Sequence, residues 1–189
     1  MLVSRVRATM MVVATIVAAS ARLACAQTPT AVDPRSGWAI GASPAIWAHV
    51  PTDSADVRPN GKAFDLSVER RLGAATDPGA PAVRVQLGTG EGGTGRKPGF
   101  DYRRVTVGLM QTFVGASRSP FAVYVAAGGG AYRVTSPVES STKPTVYGGI
   151  GLDVALGSSP VSVGAEIQIQ SIGAGVYGTT SLNARLHFR

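Results

Sequence analysis

The chain has 189 residues, of which 44% are hydrophobic and 15% charged, so it is too apolar for a disordered chain, and its 24 glycines lack the triplet period of collagen. The formal charge is +7, but Arg5, Arg7 and Arg22 precede residue 27 without any acid, and removing that segment leaves 15 bases (18 minus 3) against 11 acids, a net +4. Bases that few and that scattered exclude a nucleic-acid-binding stripe, and the length suits one domain.

Residues 1–26 read as a secretory signal peptide. Arg5 and Arg7 precede an apolar stretch from Ala8 to Ala19, about half of what a transmembrane helix needs. The small residues Ala24 and Ala26 then place cleavage before Gln27. A lipoprotein signal acylated on Cys25 would need an aliphatic residue three positions earlier, where Arg22 stands. Because Cys25 is the single cysteine, the mature chain would have neither disulfides nor thiolate metal sites. Residues 27–36, polar and with Pro29 and Pro34, form a short disordered lead-in, and 37–189 form the folded unit.

From there the apolar residues recur at period two, and no segment carries a convincing helical stripe. Eight strands are predicted, roughly Gly37 to Val50, Ala63 to Leu72, Ala82 to Gly88, Tyr102 to Phe113, Phe121 to Val134, Thr145 to Leu156, Val161 to Ile172 and Thr180 to Phe188. In the second, Phe64, Leu66, Val68 and Leu72 oppose Asp65, Ser67, Glu69 and Arg71. In the fourth, Val105, Val107, Leu109 and Phe113 oppose Arg104, Thr106, Gly108 and Thr112, and in the seventh Val161, Val163, Ile167 and Ile169 oppose Ser162, Gly164, Glu166 and Gln168. Pro44 removes a ladder donor in the middle of the first strand, which predicts a bulge or a register shift there.

Alternation alone does not say which face is inside, because a soluble barrel is apolar within and a membrane barrel apolar without. The polar faces carry Asp65, Glu69, Arg71, Arg84, Arg104, Asp153, Glu166 and Arg185 in mid-strand, four acids and four bases. A balanced set is what a narrow lumen requires, where an unpartnered charge costs several kcal/mol. Glu69, Arg84, Arg104 and Glu166 are expected at the centre of such a plug. The same faces are rich in Gly, Ser, Ala and Thr, which suit a crowded interior.

With the N-terminus periplasmic, the outer loops would be about 51–62, 89–101, 135–144 and 173–179, and the inner turns 73–81, 114–120 and 157–160, shorter on average. Trp38, Phe113, Phe121 and Phe188 would then fall at periplasmic strand ends on the apolar face, an aromatic girdle. Phe64 would point outward at the other rim, while Tyr102, Tyr132 and Tyr147 read as strand residues of inward parity near that rim.

Gly148-Gly149-Ile150-Gly151-Leu152-Asp153 and the closing Leu182-Asn183-Ala184-Arg185-Leu186-His187-Phe188 resemble the small outer-membrane β-barrel domain family, which includes the OmpA-type transmembrane barrel and the opacity-type surface proteins. The resemblance covers residues 37–189. It implies an all-β, eight-stranded antiparallel up-and-down transmembrane β-barrel preceded by a cleavable signal peptide, located in the bacterial outer membrane. The partners it implies are outer-membrane lipid and the outer-membrane assembly machinery, the latter reading the C-terminal strand that ends in phenylalanine; any extracellular partner stays unnamed. No attached peptidoglycan-binding domain is expected.

Little catalytic chemistry is visible. Gly88-Thr89-Gly90-Glu91-Gly92-Gly93 matches the dinucleotide fingerprint in form, but the following Arg96, Lys97 and Pro98 cannot open the helix that would aim amides at a pyrophosphate, so a flexible outer loop is expected instead. His49 and His187 fall at opposite rims, so no shared metal site or relay is expected. His49 with Asp53 and Ser54 leaves an outer-leaflet lipid-modifying enzyme as one alternative, and a soluble lipocalin-like carrier is another. His187 reads as a lumen hydrogen-bonding residue. The favoured expectation is a non-enzymatic protein, without cofactor or metal, acting through membrane structure or its outer loops.

Overall fold

The computed structural model describes residues 37–49, 60–72, 80–93, 100–114, 120–137, 140–157, 159–172 and 175–188. The cleavage-site residues Ala24, Ala26 and Gln27, the whole of 1–36, and Asp53 and Ser54 lie outside them, as do the side chains of His49 and Phe113. The strands are β1 (Trp38–His49), β2 (Asn60–Arg71), β3 (Ala82–Gly93), β4 (Phe100–Val114), β5 (Phe121–Thr135), β6 (Ser140–Ala155), β7 (Val161–Ile172) and β8 (Gly175–Phe188). Each pairs antiparallel with its sequence neighbour, and β1 pairs with β8, so the sheet closes on itself in the order β1 to β8. Closure leaves no unpaired edge. Trp38 faces Phe188 in the closing ladder, so both chain ends lie at one rim, here called the terminal rim; the opposite rim is the distal one.

The walls follow from the alternation. At nearly every rung one residue faces in and is buried while its neighbour faces out and is exposed. The interior positions include Asp65, Ser67, Glu69, Arg84, Gln86, Arg104, Thr106, Asp153, Glu166, Gln168, Gln170, Asn183 and Arg185. Outside, every strand contributes exposed apolar side chains, among them Ile40, Leu66, Leu87, Val107, Val125, Ile150, Ile167 and Leu186.

Four expectations need correction, the last of them at Pro44. The strands run further toward the distal rim than periodicity showed: β2 starts at Asn60, β3 continues to Gly93, β6 starts at Ser140 and β8 at Gly175. The distal links shrink to 50–59, 94–99, 136–139 and 173–174, against 72–81, 115–120 and 156–160 at the terminal rim, so link length no longer distinguishes the two ends. The glycine-rich run 88–93 is therefore strand, not loop: it pairs with Asp65 to Asn60 on β2. Polar and glycine-rich rungs hid these extensions, because no apolar alternation marks them.

Pro44 causes no register shift. Ala42 faces Ala184 before it and Ala45 faces Ser181 after it, the same register on both sides, and opposite the gap Ser43 Oγ donates to Asn183 Oδ1 at 2.6 Å. The described ladders shift instead between Thr112 and Val114, where β4 bulges against β5. At the β6–β7 turn Gly157 has φ 63°, a left-handed conformation that favours glycine, and Leu156 N donates to Val161 O at 3.0 Å to close the hairpin.

Candidate functional site: the barrel interior

The candidate site is the column of side chains that fills the barrel. Arg84, 1% exposed, projects from β3. Its Nε donates to Glu69 Oε1 of β2 at 2.9 Å, and its Nη1 spans both carboxylate oxygens of Glu166 of β7 at 3.0 and 2.7 Å. Arg185 of β8 enters from the other side, donating to Glu69 Oε1 at 3.0 Å and to Asp153 Oδ1 of β6 at 2.9 Å. Two guanidiniums are thus held among three carboxylates.

Tyr124 of β5 lies between the two arginines. Its hydroxyl donates to Glu166 Oε2 at 2.8 Å and accepts from Arg185 Nη2 at 2.8 Å. Its ring has the Arg84 and Arg185 guanidinium carbons 5.2 and 5.1 Å from its centroid, so it meets both cations through its π face and Arg185 through its oxygen as well. Such charge-assisted bonds are short and directional, and a fully satisfied network of them rigidifies what surrounds it.

A second ionic layer lies toward the distal rim. Arg104 of β4 grips Asp65 of β2 with two bonds, Nε to Oδ1 at 2.9 Å and Nη2 to Oδ2 at 2.6 Å. The strand between them, β3, presents Gly88 at that rung. A Cβ there would collide with Asp65 Oδ1 and lie 2.7 Å from Arg104 Cγ, so the fork closes only over a glycine. Arg104 Nη1 also donates to Gln170 Oε1 at 2.9 Å, and Gln170 Nε2 passes the chain on to Thr179 Oγ1 at 3.2 Å.

Beyond it the interior turns aromatic. Trp47, Tyr102 and Tyr132 are buried, with Phe100 and Tyr177 packed against them. Tyr102 and Tyr132 stack at 4.9 Å, and Trp47 meets Phe100, Tyr102 and Tyr177 at 5.5 to 5.7 Å between centroids. Gly90 and Gly92 lie against Tyr102 and Trp47, so the fingerprint-like glycines line an aromatic layer and not a phosphate. Tyr102 and Tyr132, of inward parity as expected, thus pack in the interior, and Tyr147 does so in a separate cluster with Met110 and Tyr124.

At the terminal rim a cavity of about 30 Å³ is lined by Glu69, Arg71, Tyr124, Asp153, Arg185 and His187, among others, room for roughly one water. Arg71 is half-buried there, at the edge of the column. Ser162 Oγ lies 2.8 Å from His187 Nε2, the spacing of a nucleophile and base. Ser162 is 0% and His187 7% exposed, so the pair works as an interior hydrogen bond. Among the described residues no three His, Cys, Asp or Glu side chains are placed to hold a metal ion.

Of the residues singled out in sequence, the ion pairs bring together Glu69, Arg84, Asp153, Glu166 and Arg185 in one group and Asp65 with Arg104 in another. Tyr124 and Trp47, which parity alone places inside with Ala122 and Ala45, were not singled out. On the outer wall Trp38 and Phe188, 40% and 41% exposed, are cross-strand partners, and the Arg70 guanidinium lies 5.0 Å from the Trp38 ring centroid. Phe121 is half-buried at the same rim.

No family model matches the sequence, and no curated protein does. Solved structures do match. Neisserial surface protein A (NspA) is 16% identical with a TM-score of 0.64, covering 81% of this chain and 98% of its own. Ail, the attachment invasion locus protein of Yersinia pestis, solved with the heparin analogue sucrose octasulfate, is 18% identical with a TM-score of 0.51, covering 80% of this chain and 96% of its own. The N-terminal β-barrel domain of Pseudomonas aeruginosa OprF is 13% identical with a TM-score of 0.50, covering 79% and 97%. At such identities the likeness is one of fold: this chain has the closed eight-stranded antiparallel barrel of small bacterial outer-membrane proteins.

Proposed function

We propose that the protein is an integral outer-membrane barrel, non-enzymatic, whose role is structural or lies in what its distal rim and links contact. The observation that carries this is the polarity of the wall: all eight strands expose large apolar side chains outward while charges and amides fill the inside. A soluble monomer rarely exposes so continuous an apolar surface, and a lipocalin-like carrier would need an apolar cavity where this barrel has ion pairs.

The band has the right height. On β2 the outward polar residues Lys62 and Arg70 bracket it, and on β4 Arg103 and Gln111 do, eight residues apart in each case (70 minus 62, 111 minus 103). At ~3.4 Å per residue that is ~27 Å along the strand, and a tilt of ~40° reduces it to ~21 Å, close to the ~25 Å apolar band of outer-membrane barrels. Trp38, Phe121 and Phe188 fit an interfacial girdle at the terminal rim. The bonded Ser162–His187 pair is sealed inside and lends the lipid-modifying alternative no support; the residues on which that alternative rests, Asp53, Ser54 and the His49 side chain, lie outside the described residues.

Membrane fractionation with heat-shifted gel migration tests the reading. Recovery in outer membranes, with SDS resistance lost on boiling, is expected; recovery from the periplasm without detergent overturns it. Unchanged lipid A masses in cells with and without the protein are expected, and a shifted mass would establish enzymatic activity.

A further inference from the structure

At the distal edge of the apolar band one rung runs across four strands with only hydrogen-bond donors facing outward. Thr89 of β3 faces Arg103 of β4, Arg103 faces Arg133 of β5, and Arg133 faces Thr142 of β6. All four side chains are exposed. Two arginines directly opposite on an antiparallel pair repel each other and destabilise the pairing. Among the described residues neither joins an ion pair; Arg133 Nε donates only to Ser140 Oγ at 3.3 Å. The acids Glu91 and Asp101 stand one outward rung further from the band, paired in register with each other.

The next rung toward the terminal rim changes character abruptly, to Leu87, Val105, Ala131 and Pro144. A rung of two guanidiniums flanked by two hydroxyls therefore sits directly on the edge of the apolar wall, where the head group of a lipid meets its acyl chains.

We infer that the Thr89–Arg103–Arg133–Thr142 rung binds the phosphate of a lipid in the leaflet at the distal rim, the acyl chains lying against the apolar rung below. The inference rests on the outer-membrane reading above. Guanidinium forks suit phosphate oxygens bidentately, and an anion between Arg103 and Arg133 turns a repulsive pair into a bridged one. Strands lie ~4.8 Å apart, so the two arginines flank a head group from one side each while the hydroxyls complete its donor set. The lipid, and not a free ion, is the occupant because the donors face the membrane flank of the wall and not its open mouth.

The test uses the full protein in phosphatidylcholine nanodiscs containing a small fraction of phosphatidic acid, with retained lipids counted by native mass spectrometry. Heat-shifted migration first confirms folding of each variant. Wild type is expected to retain phosphatidic acid in preference to phosphatidylcholine, and Arg103→Gln/Arg133→Gln to lose that preference by about tenfold or more. Arg70→Gln, at the opposite edge of the band, is expected to keep it. The inference is overturned if wild type shows no preference, if Arg70→Gln loses as much as the double variant, or if inorganic phosphate displaces the lipid, which would make the rung a site for the ion. Failure of wild type to fold in neutral nanodiscs would be a different result, overturning the membrane-barrel reading itself.

Discussion

Removing Arg84 should damage the barrel far more than neutralising Glu166, although the two are bonded to each other. The layer they share holds Arg84 and Arg185 against Glu69, Asp153 and Glu166, two positive charges and three negative. Arg84→Met leaves three carboxylates around one guanidinium, all of them buried, and breaking a buried pair in that sense costs about 3–5 kcal/mol. Glu166→Gln moves the layer toward neutrality and keeps an oxygen for Tyr124 and Arg84. Its cost is the loss of bonds that one amide cannot replace, among them the 2.6 Å bond from Gln168 Nε2, about 1–2 kcal/mol. Combining the two leaves Arg185 with Glu69 and Asp153, so the double variant should fall short of the sum by about 1–3 kcal/mol. Urea unfolding in lipid vesicles, with the folded fraction read from heat-shifted migration, measures all three. A Glu166→Gln penalty equal to or above that of Arg84→Met would refute the charge balance as the source of stability.

Val107 is 53% exposed at mid-band, so Val107→Arg should cost about 2–4 kcal/mol in the same lipid titration, and a silent substitution would mean the outward face does not meet lipid. Purified protein in planar bilayers should show no porin-sized conductance steps, because ion pairs and stacked rings fill the interior at different heights; steady steps would show that the column opens. Intact mass of the exported protein should place its first residue at Gln27, and a retained, acylated Cys25 would show the lipoprotein signal to be the working one.

The architecture was legible because its signal is redundant. Eight alternating segments each repeat the same period, and the balance of charges on their polar faces chose the inside from the outside. What stayed hidden were the distal strand extensions and the aromatic layer, and both have the same cause. Gly88, Gly90 and Gly92 carry no side chain to alternate, so a strand that needs them as spacers beside Asp65, Tyr102 and Trp47 looks like a loop. Pro44 misled in the opposite sense: a proline costs a rung, but a rung whose partner residues hydrogen-bond through Ser43 and Asn183 keeps its register.

The interior was legible in its charges and not in their partners, since parity says which residues share the lumen but not which strands they reach across. Arg104 crosses β3 to Asp65, and Arg84 spans from β3 to Glu166 on β7, distances set by barrel closure and invisible to any local window. Tyr124 escaped notice because its value lies in those long-range partners, two cations and a carboxylate contributed by three other strands. A barrel closed by eight strands is narrow enough for such side chains to meet across it, and once they do, the lumen is occupied by its own wall. Contact with anything outside then has to be made by what faces outward: the apolar band, the donor rung at its distal edge, and the links between strands. The same geometry that makes the interior rigid therefore leaves the outer surface free to vary, so the proposed lipid contact at Arg103 and Arg133 can be tested by substitution without touching the network that holds the fold.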